Sequence, residues 1–290
     1  MSSTESVRPK HNFILSETVW MPDSTSPLYA ADACALAFQL RYAWTGWPSG
    51  DKFDHTLQQL IEDTKSLWET DGLRVLQHRW TDDQIQILFS VTPDVSPLFV
   101  ATRAKGRLDH AIRTAGETLP FSRKVALRAV GDNTREDIEG YIRQQVAQER
   151  FVDPQFSEML SQFTVAVNEV DLSQPSETAR GRYWFNLHVV LVTDQRYRFT
   201  DEKTLQQLFD GVFRIARNKE HLISSLSVMP DHVHIALRPK IDEKPAQVAR
   251  SYQNNLAYFL NRGRIWEDSF YVGTFGEYTT QAVRKKTTSS

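Results

Sequence analysis

A single cysteine, Cys34, excludes a disulfide framework and a cysteine-based zinc site. No stretch approaches the roughly 18 consecutive apolar residues of a membrane helix. The opening residues carry no hydrophobic core of a secretory signal. Neither sign of charge dominates: 34 Lys and Arg stand against 36 Asp and Glu, for a formal net charge of -2. So balanced a chain is no wholesale polycation, and any contact with nucleic acid has to come from a local basic stripe. These absences lead to the expectation of a cytosolic protein. What is present is 40% hydrophobic and 11% aromatic residues over 290 positions, enough apolar material for two ordinary domains.

Residues 1–35 are rich in Ser, Thr and Pro with weak periodicity, and read as a tail. A second irregular stretch, 151–182, contains Asp153-Pro154 and Ser173-Gln174-Pro175-Ser176 and reads as a linker, with one apolar patch, Phe163 to Val167, of strand character. Between and after them lie two blocks, 36–150 and 183–290. Their markers come in one order. Leu40-Arg41-Tyr42-Ala43-Trp44 corresponds to Leu187-His188-Val189-Val190-Leu191, both as strands. The pentapeptide Thr56-Leu57-Gln58-Gln59-Leu60 recurs as Thr204-Leu205-Gln206-Gln207-Leu208 at the start of a helix. Asp82-Asp83-Gln84-Ile85-Gln86 recurs as Pro230-Asp231-His232-Val233-His234 at an offset of 148 (232 − 84), and Pro97 and Leu108 pair with Pro245 and Leu256 at the same offset. Ala129-Val130-Gly131 matches Thr274-Phe275-Gly276 at 145 (276 − 131). One shared pentapeptide is what chance supplies; five ordered markers indicate duplication. Each block reads strand, helix, strand, strand, helix, strand, terminal helix. The expected fold class is α+β: two fused ferredoxin-like (RRM-like) domains with antiparallel sheets, a pseudo-dimer in one chain.

Residues two apart on a strand project from one face, so His232 and His234 stand side by side, about 7 Å apart by the strand rise. Two such imidazoles can converge on one divalent cation, although a bare His-x-His pair is more often two polar residues alternating with apolar ones. The wider context is Tyr183 to Val190 before the pair, Met229-Pro230-Asp231-His232-Val233-His234 itself, and Trp266-Glu267-Asp268-Ser269-Phe270-Tyr271-Val272 after it. Together these closely resemble the single-tyrosine HUH transposases: the insertion-sequence 200/605 group and the REP-associated tyrosine transposases. The resemblance covers about residues 183–286 well and about 36–150 more weakly.

The resemblance implies two metal-binding histidines and a tyrosine on a C-terminal helix. That tyrosine cuts single-stranded DNA, leaving a 5′-phosphotyrosine and a free 3′-hydroxyl. It also implies a polar residue four positions after the tyrosine in the metal site, and often a helix swapped across a dimer. The family's glycine before the helix matches Gly131 and Gly276, with the tyrosine ten residues on. From Gly131 that position is Tyr141, and Gln145 follows one turn later on the same helix face. From Gly276 it is Lys286, and in the first block the histidine positions hold Gln84 and Gln86. Each block departs from the pattern where the other keeps it. One full set can be assembled: Tyr141 as nucleophile, with His232, His234 and Gln145 around Mg²⁺ or Mn²⁺ (Zn²⁺ also suits such ligands). A phenol of pKa near 10 is about 0.1% ionised at pH 7, a deficit of roughly 4 kcal/mol that a nearby cation offsets.

For DNA the candidates are Arg103, Lys105, Arg107 and Arg113, then Arg123, Lys124 and Arg128, and Arg250 in the second block, near Asn254 and Asn255. A basic run is as often a solvated face; the resemblance turns this one toward phosphate contact. Trp44, Trp47, Trp184 and Trp266 are candidates for base stacking or, for most of them, core packing. The leading expectation is a cytoplasmic, nucleoid-associated bacterial enzyme acting on single-stranded or hairpin DNA. Its pseudo-dimer is internal, with a homodimer as a further option. Three other readings stand beside it: a catalytically inactive structured-DNA-binding protein derived from a transposase, catalysis by Tyr271 or Tyr278 within the second block, and a small-molecule metalloenzyme on the same fold.

Overall fold

The structure is a computed structural model that describes residues 27–30, 37–50, 52–117, 121–149 and 151–280. Alternating burial along Leu40–Pro48 makes it a half-buried strand, β1. A 3-10 turn leads into α1 (Gln59–Thr70), so the first Thr-Leu-Gln-Gln-Leu copy straddles turn and helix. The hairpin β2 (Leu73–Trp80) and β3 (Ile85–Val91) follows. Ser96 then starts α2 (Pro97–Thr114), accepting a hydrogen bond from the Phe99 N–H, with Pro97 in the first turn where its missing N–H costs nothing. β4 (Phe121–Val130) closes the series. Thr134 and Asp137 form a capping box that opens α3 (Arg135–Arg143), which passes into the short α4 (Gln145–Gln148).

The segment expected as a linker is structured. Asp153 caps α5 (Pro154–Ser161), and β5 (Thr164–Ala166) forms where the apolar patch was read. A hairpin of β6 (Ser176–Thr178) and β7 (Gly181–Trp184) runs through Phe185 into β8 (Asn186–Val192). Then come α6 (Glu202–Lys219), capped by Asp201, β9 (Leu222–Val228), β10 (His232–Arg238), α7 (Pro245–Leu260) and β11 (Tyr271–Phe275).

The fold is α+β with two sheets. Their strand orders are β2-β3-β1-β4-β7-β6 and β11-β8-β10-β9-β5. Within them, β2-β3-β1-β4 and β9-β10-β8-β11 repeat one pattern, antiparallel throughout. The expectation of purely antiparallel sheets needs one correction: β7 pairs with β4 in parallel. It does so because β7 continues directly into β8 of the other sheet, so its direction is already set. Segment 151–182 thus covers an edge of each sheet, β5 on β9 and the β6–β7 hairpin on β4, which removes open strand edges that would otherwise invite aggregation. Buried Arg238 on β10 holds this crossing in place: its guanidinium donates to the carbonyls of Leu172 and Gln174 and to Asn186 Oδ1.

The register also corrects the proposed equivalence of the first strands. Tyr42 stands opposite Phe89 and Leu187 opposite Leu237, while β3 and β10 keep the offset of 148 (237 − 89). Leu187 is therefore the counterpart of Tyr42, at 145 (187 − 42), and not of Leu40. A shift of two residues keeps every side chain on its own face, so alternation could not detect it.

The two sheets meet around Gly131 and Gly276. Gly131 bridges Thr279, and Thr134 bridges Gly276. Thr280 N–H donates to the Gly131 carbonyl at 2.7 Å, and Arg135 N–H to the Gly276 carbonyl at 2.7 Å. Adding 145 to the lower-numbered member of each pair gives the higher-numbered member of the other pair, since 131 + 145 is 276 and 134 + 145 is 279. Neither glycine leaves room for a side chain: a Cβ on Gly131 would be driven into the Thr274 carbonyl, one on Gly276 into the Ala129 carbonyl. Gly131→Ala should lower the free energy of unfolding by about 1–3 kcal/mol. Urea denaturation reads this directly; an unchanged midpoint and slope would show that the close backbone approach is not needed.

Two further expectations change, one at the N-terminus and one on α7. Tyr29 is no part of a loose tail: it is buried, and its hydroxyl accepts from the N–H groups of Ile265 and Trp266, both at 2.7 Å. The Asn254 amide is spent on the Tyr29 backbone, through its oxygen to the N–H and its nitrogen to the carbonyl. Residues 1–26 and 31–35 of the expected tail lie outside the described residues, as does Lys286.

Candidate functional site

β10 lies in the middle of the second sheet and holds His232 and His234 on one face. Helix α3 of the first half packs against β9, β10 and β5 of that sheet. The reason is local to α3. Ile138 and Ile142, one turn apart, bury against Leu172 of the connecting segment and Ala236 and Phe275 of the second half. That docking leaves Tyr141, next to Ile142, at the edge of the interface, 43% exposed. Its ring meets His234 edge-on with centroids 5.4 Å apart, and His188 at 6.3 Å.

Gln145 is buried at the start of α4. Its Nε2 donates to the Tyr141 carbonyl at 3.2 Å, which turns Oε1 toward His232 Nε2, 3.4 Å away. The structure thus brings Tyr141, Gln145, His232 and His234 together, from opposite ends of the sequence.

Three further residues complete the geometry. Asp231 Oδ1 lies 2.7 Å from His232 Nδ1. An ionised carboxylate only accepts, so His232 donates from Nδ1, and Nε2 is the ring atom on the Gln145 side. Burial opposes ionisation of Asp231, but its hydrogen bond to His232 and the charges of His232, Arg196 and Arg198 outweigh it and hold its pKa below the usual value. His188, on β8, places Nε2 3.0 Å from His234 Nδ1, leaving Nε2 as the free ligand atom of His234. Burial pushes His188 down to about 4; burial, followed by the charges of His188 and His232, pushes His234 down to about 2. Both rings are therefore neutral at pH 7, the state a metal ligand requires. Glu149, one turn beyond Gln145, brings a carboxylate within 4.8 Å of ligand atoms of Asp231 and His232.

The residues fit a hard divalent cation. Two imidazoles with oriented outer nitrogens, an amide oxygen and a carboxylate form a mixed nitrogen and oxygen donor set of the kind that suits Mg²⁺ or Mn²⁺. Sequence reasoning missed His188, Asp231 and Glu149. Two of the three left a signal: His188 is a polar interruption in an apolar strand, and Glu149 continues the spacing of Tyr141 and Gln145 by another four residues.

The basic candidates divide. Arg107 forms a two-bond pair with Asp71 at 2.8 and 3.1 Å, and Arg103 lies 3.4 Å from the same carboxylate. Lys105 donates to the Ser122 carbonyl at 2.7 Å, and Arg113 pairs with Asp109 at 2.7 Å. Arg250 is a correction. It is buried, donating to Gln253 Oε1 and the Asp268 carbonyl, because α7 packs that face inward; DNA cannot reach it. Arg123, Lys124 and Arg128 are exposed along β4. Of the tryptophans, Trp44 and Trp266 are core residues, while Trp47 and Trp184 reach the surface.

Residues 182–286 match a family described as Transposase IS200 like. They span β8, α6, β9, the His232–His234 strand, α7 and β11. Two solved structures share local similarity. One is a transposase-like protein from Deinococcus radiodurans, 20% identical over 38% of this chain and 95% of that one, with a TM-score of 0.32. The other is a REP-associated tyrosine transposase bound to a REP hairpin, 15% identical over 36% of this chain and 62% of that one, with a TM-score of 0.29. The search of curated proteins returned no match. Among the described residues, no helix is long and apolar enough to cross a membrane.

Proposed function

Taking residues 182–286 as an IS200-like transposase domain, we propose that the chain is a metal-dependent enzyme that nicks and rejoins single-stranded DNA. Its single site is composite, with the nucleophile from the first half and the metal ligands mostly from the second. The observation that carries this reading is the Tyr141 ring lying edge-on to His234, 5.4 Å between centroids, although 93 residues separate them in sequence (234 − 141).

Tyr141 Oη attacks a phosphodiester phosphorus. A bond from phosphorus to the tyrosine oxygen forms, and the bond to the DNA 3′-oxygen breaks. The phenolic proton leaves to solvent, which half-exposed Tyr141 can reach, and the departing 3′-oxygen takes up a proton to become a hydroxyl. The new ester keeps the phosphodiester energy, so the reverse attack by a 3′-hydroxyl rejoins DNA without ATP. His232, His234, Gln145 and Glu149 would hold Mg²⁺ or Mn²⁺, which when bound polarises a phosphate oxygen and favours phenolate. Asp231 and His188 fix the ring tautomers that make this ligand set available.

The matched strand orders and the exchange of partners by 145 positions support a duplicated, dimer-like chain. The reading makes single-stranded or hairpin DNA the partner and places the protein in the cytoplasm with the nucleoid.

The test is a 3′-labelled hairpin oligonucleotide incubated with the full chain and Mn²⁺, then run on a denaturing gel. A labelled species of protein plus oligonucleotide mass is expected, absent with EDTA. A chain that shifts the hairpin on a native gel yet leaves no adduct is a structured-DNA-binding protein instead.

A further inference from the structure

The first half has lost its imidazoles but not its cleft. By the register, the positions of His188, His232 and His234 are held in the first sheet by Ala43, Gln84 and Gln86. There the open face of the sheet forms a cleft of about 360 Å³. Its floor is two cross-strand rows, Gln86–Thr45–Ala126 and Leu88–Ala43–Arg128. Its wall is Trp184, from the strand added beside β4, with Trp47 at the rim.

Three properties of this cleft point to one ligand chemistry. Among the described residues neither the Gln84 nor the Gln86 side chain has a hydrogen-bond partner, so two amides offer donors and acceptors into the space. Neutral amides are poor holders of a dication, and a pair of them suits planar groups whose edges both donate and accept. Second, the Arg128 guanidinium lies over the Trp184 ring at 4.3 Å, making a flat cationic and aromatic surface, and it replaces Gly273 of the second half. Such surfaces stack bases. Third, Lys124 is exposed on the same face of β4 as Arg128, four residues away, giving a sugar-phosphate backbone a path away from the cleft.

We propose that this cleft is a nucleobase pocket, in which an unpaired base of single-stranded DNA stacks on Arg128 and Trp184 and hydrogen-bonds to Gln84 and Gln86. It rests on the reading of the chain as a DNA-processing enzyme and adds a second DNA contact, on the first sheet, whereas Tyr141 lies against His234 of the second. The duplicate site has exchanged chemistry for grip, so that a strand cut at one site is held at the other.

The experiment photo-cross-links the full chain to single-stranded 12-mers, each with one 5-iododeoxyuridine, and identifies the joined peptide by mass spectrometry. Cross-links to the peptides carrying Trp184 or Trp47 are expected. Gln86→Leu, a change at a half-buried side chain without partners, should weaken binding of the cross-linking 12-mer about tenfold while thermal melting stays unchanged. Trp184 also donates to the Ser173 carbonyl, so Gln86→Leu is the safer variant. Cross-links confined to other peptides, or unchanged affinity in Gln86→Leu, overturn the pocket. If the covalent adduct still forms in that case, the nicking reading stands without it; if the 12-mers neither bind nor react, both fall.

Discussion

A Tyr141→Phe chain should bind single-stranded DNA normally and leave no covalent adduct, a loss on the order of 10⁴-fold or more in strand cleavage. The substitution removes one hydroxyl from a ring 43% exposed, so neither packing nor the docking of α3 through Ile138 and Ile142 depends on it. Melting should therefore match the parent chain. Tyr271 is the instructive control, because its ring also meets His188, at 5.5 Å. Burial raises the pKa of Tyr271, and the charge of Asp132 raises it further despite Arg41. Its phenolate is thus harder to form, and Tyr271→Phe should keep the adduct. Tyr278 lines the cleft of the first half. Adduct formation that survives Tyr141→Phe and disappears with Tyr271→Phe would transfer the nucleophile to the second half alone.

The second large effect concerns the cation. Replacing His232 and His234 together by Gln copies the chemistry already present at Gln84 and Gln86. Mn²⁺ binding, followed by calorimetry or by the signal of free Mn²⁺ in electron paramagnetic resonance, should weaken by more than 100-fold, and the adduct should vanish with it. His188→Ala should cost less, about 10–100-fold in affinity, because it removes an orienting partner and leaves the ligands in place. The two effects should keep that order. Equal Mn²⁺ affinity in the double variant and the parent would mean that the carboxylates of Glu149 and Asp231 hold the ion without the imidazoles.

Much of the site was legible locally. His232 and His234 share a strand face by the two-residue period, and Tyr141 and Gln145 share a helix face by the four-residue one. Those relations hold wherever a strand and a helix form, so periodicity is enough to find them. The glycines at 131 and 276 were legible as markers, but their cause was not: each is small because the other half's backbone presses on it. The linker was misread for a related reason. Its Pro, Ser and Gln residues look irregular, yet Leu160, Phe163 and Leu172 are buried on sheets formed by distant residues.

What the sequence by itself determined is the local grammar: strands and helices in a repeated order, and reactive side chains paired at spacings that put them on one face. What only the tertiary structure decided is which faces meet. A two-residue slip between β1 and β8 preserves alternation, so only pairing across the sheets could set it. Arg250 carries the same charge as Arg128, and only packing buries one and exposes the other. His188, Asp231 and Glu149 gain their roles from contact distances of a few ångströms between separate elements. Burial and short-range electrostatics act through space, and a linear pattern records them only where the chain neighbours itself.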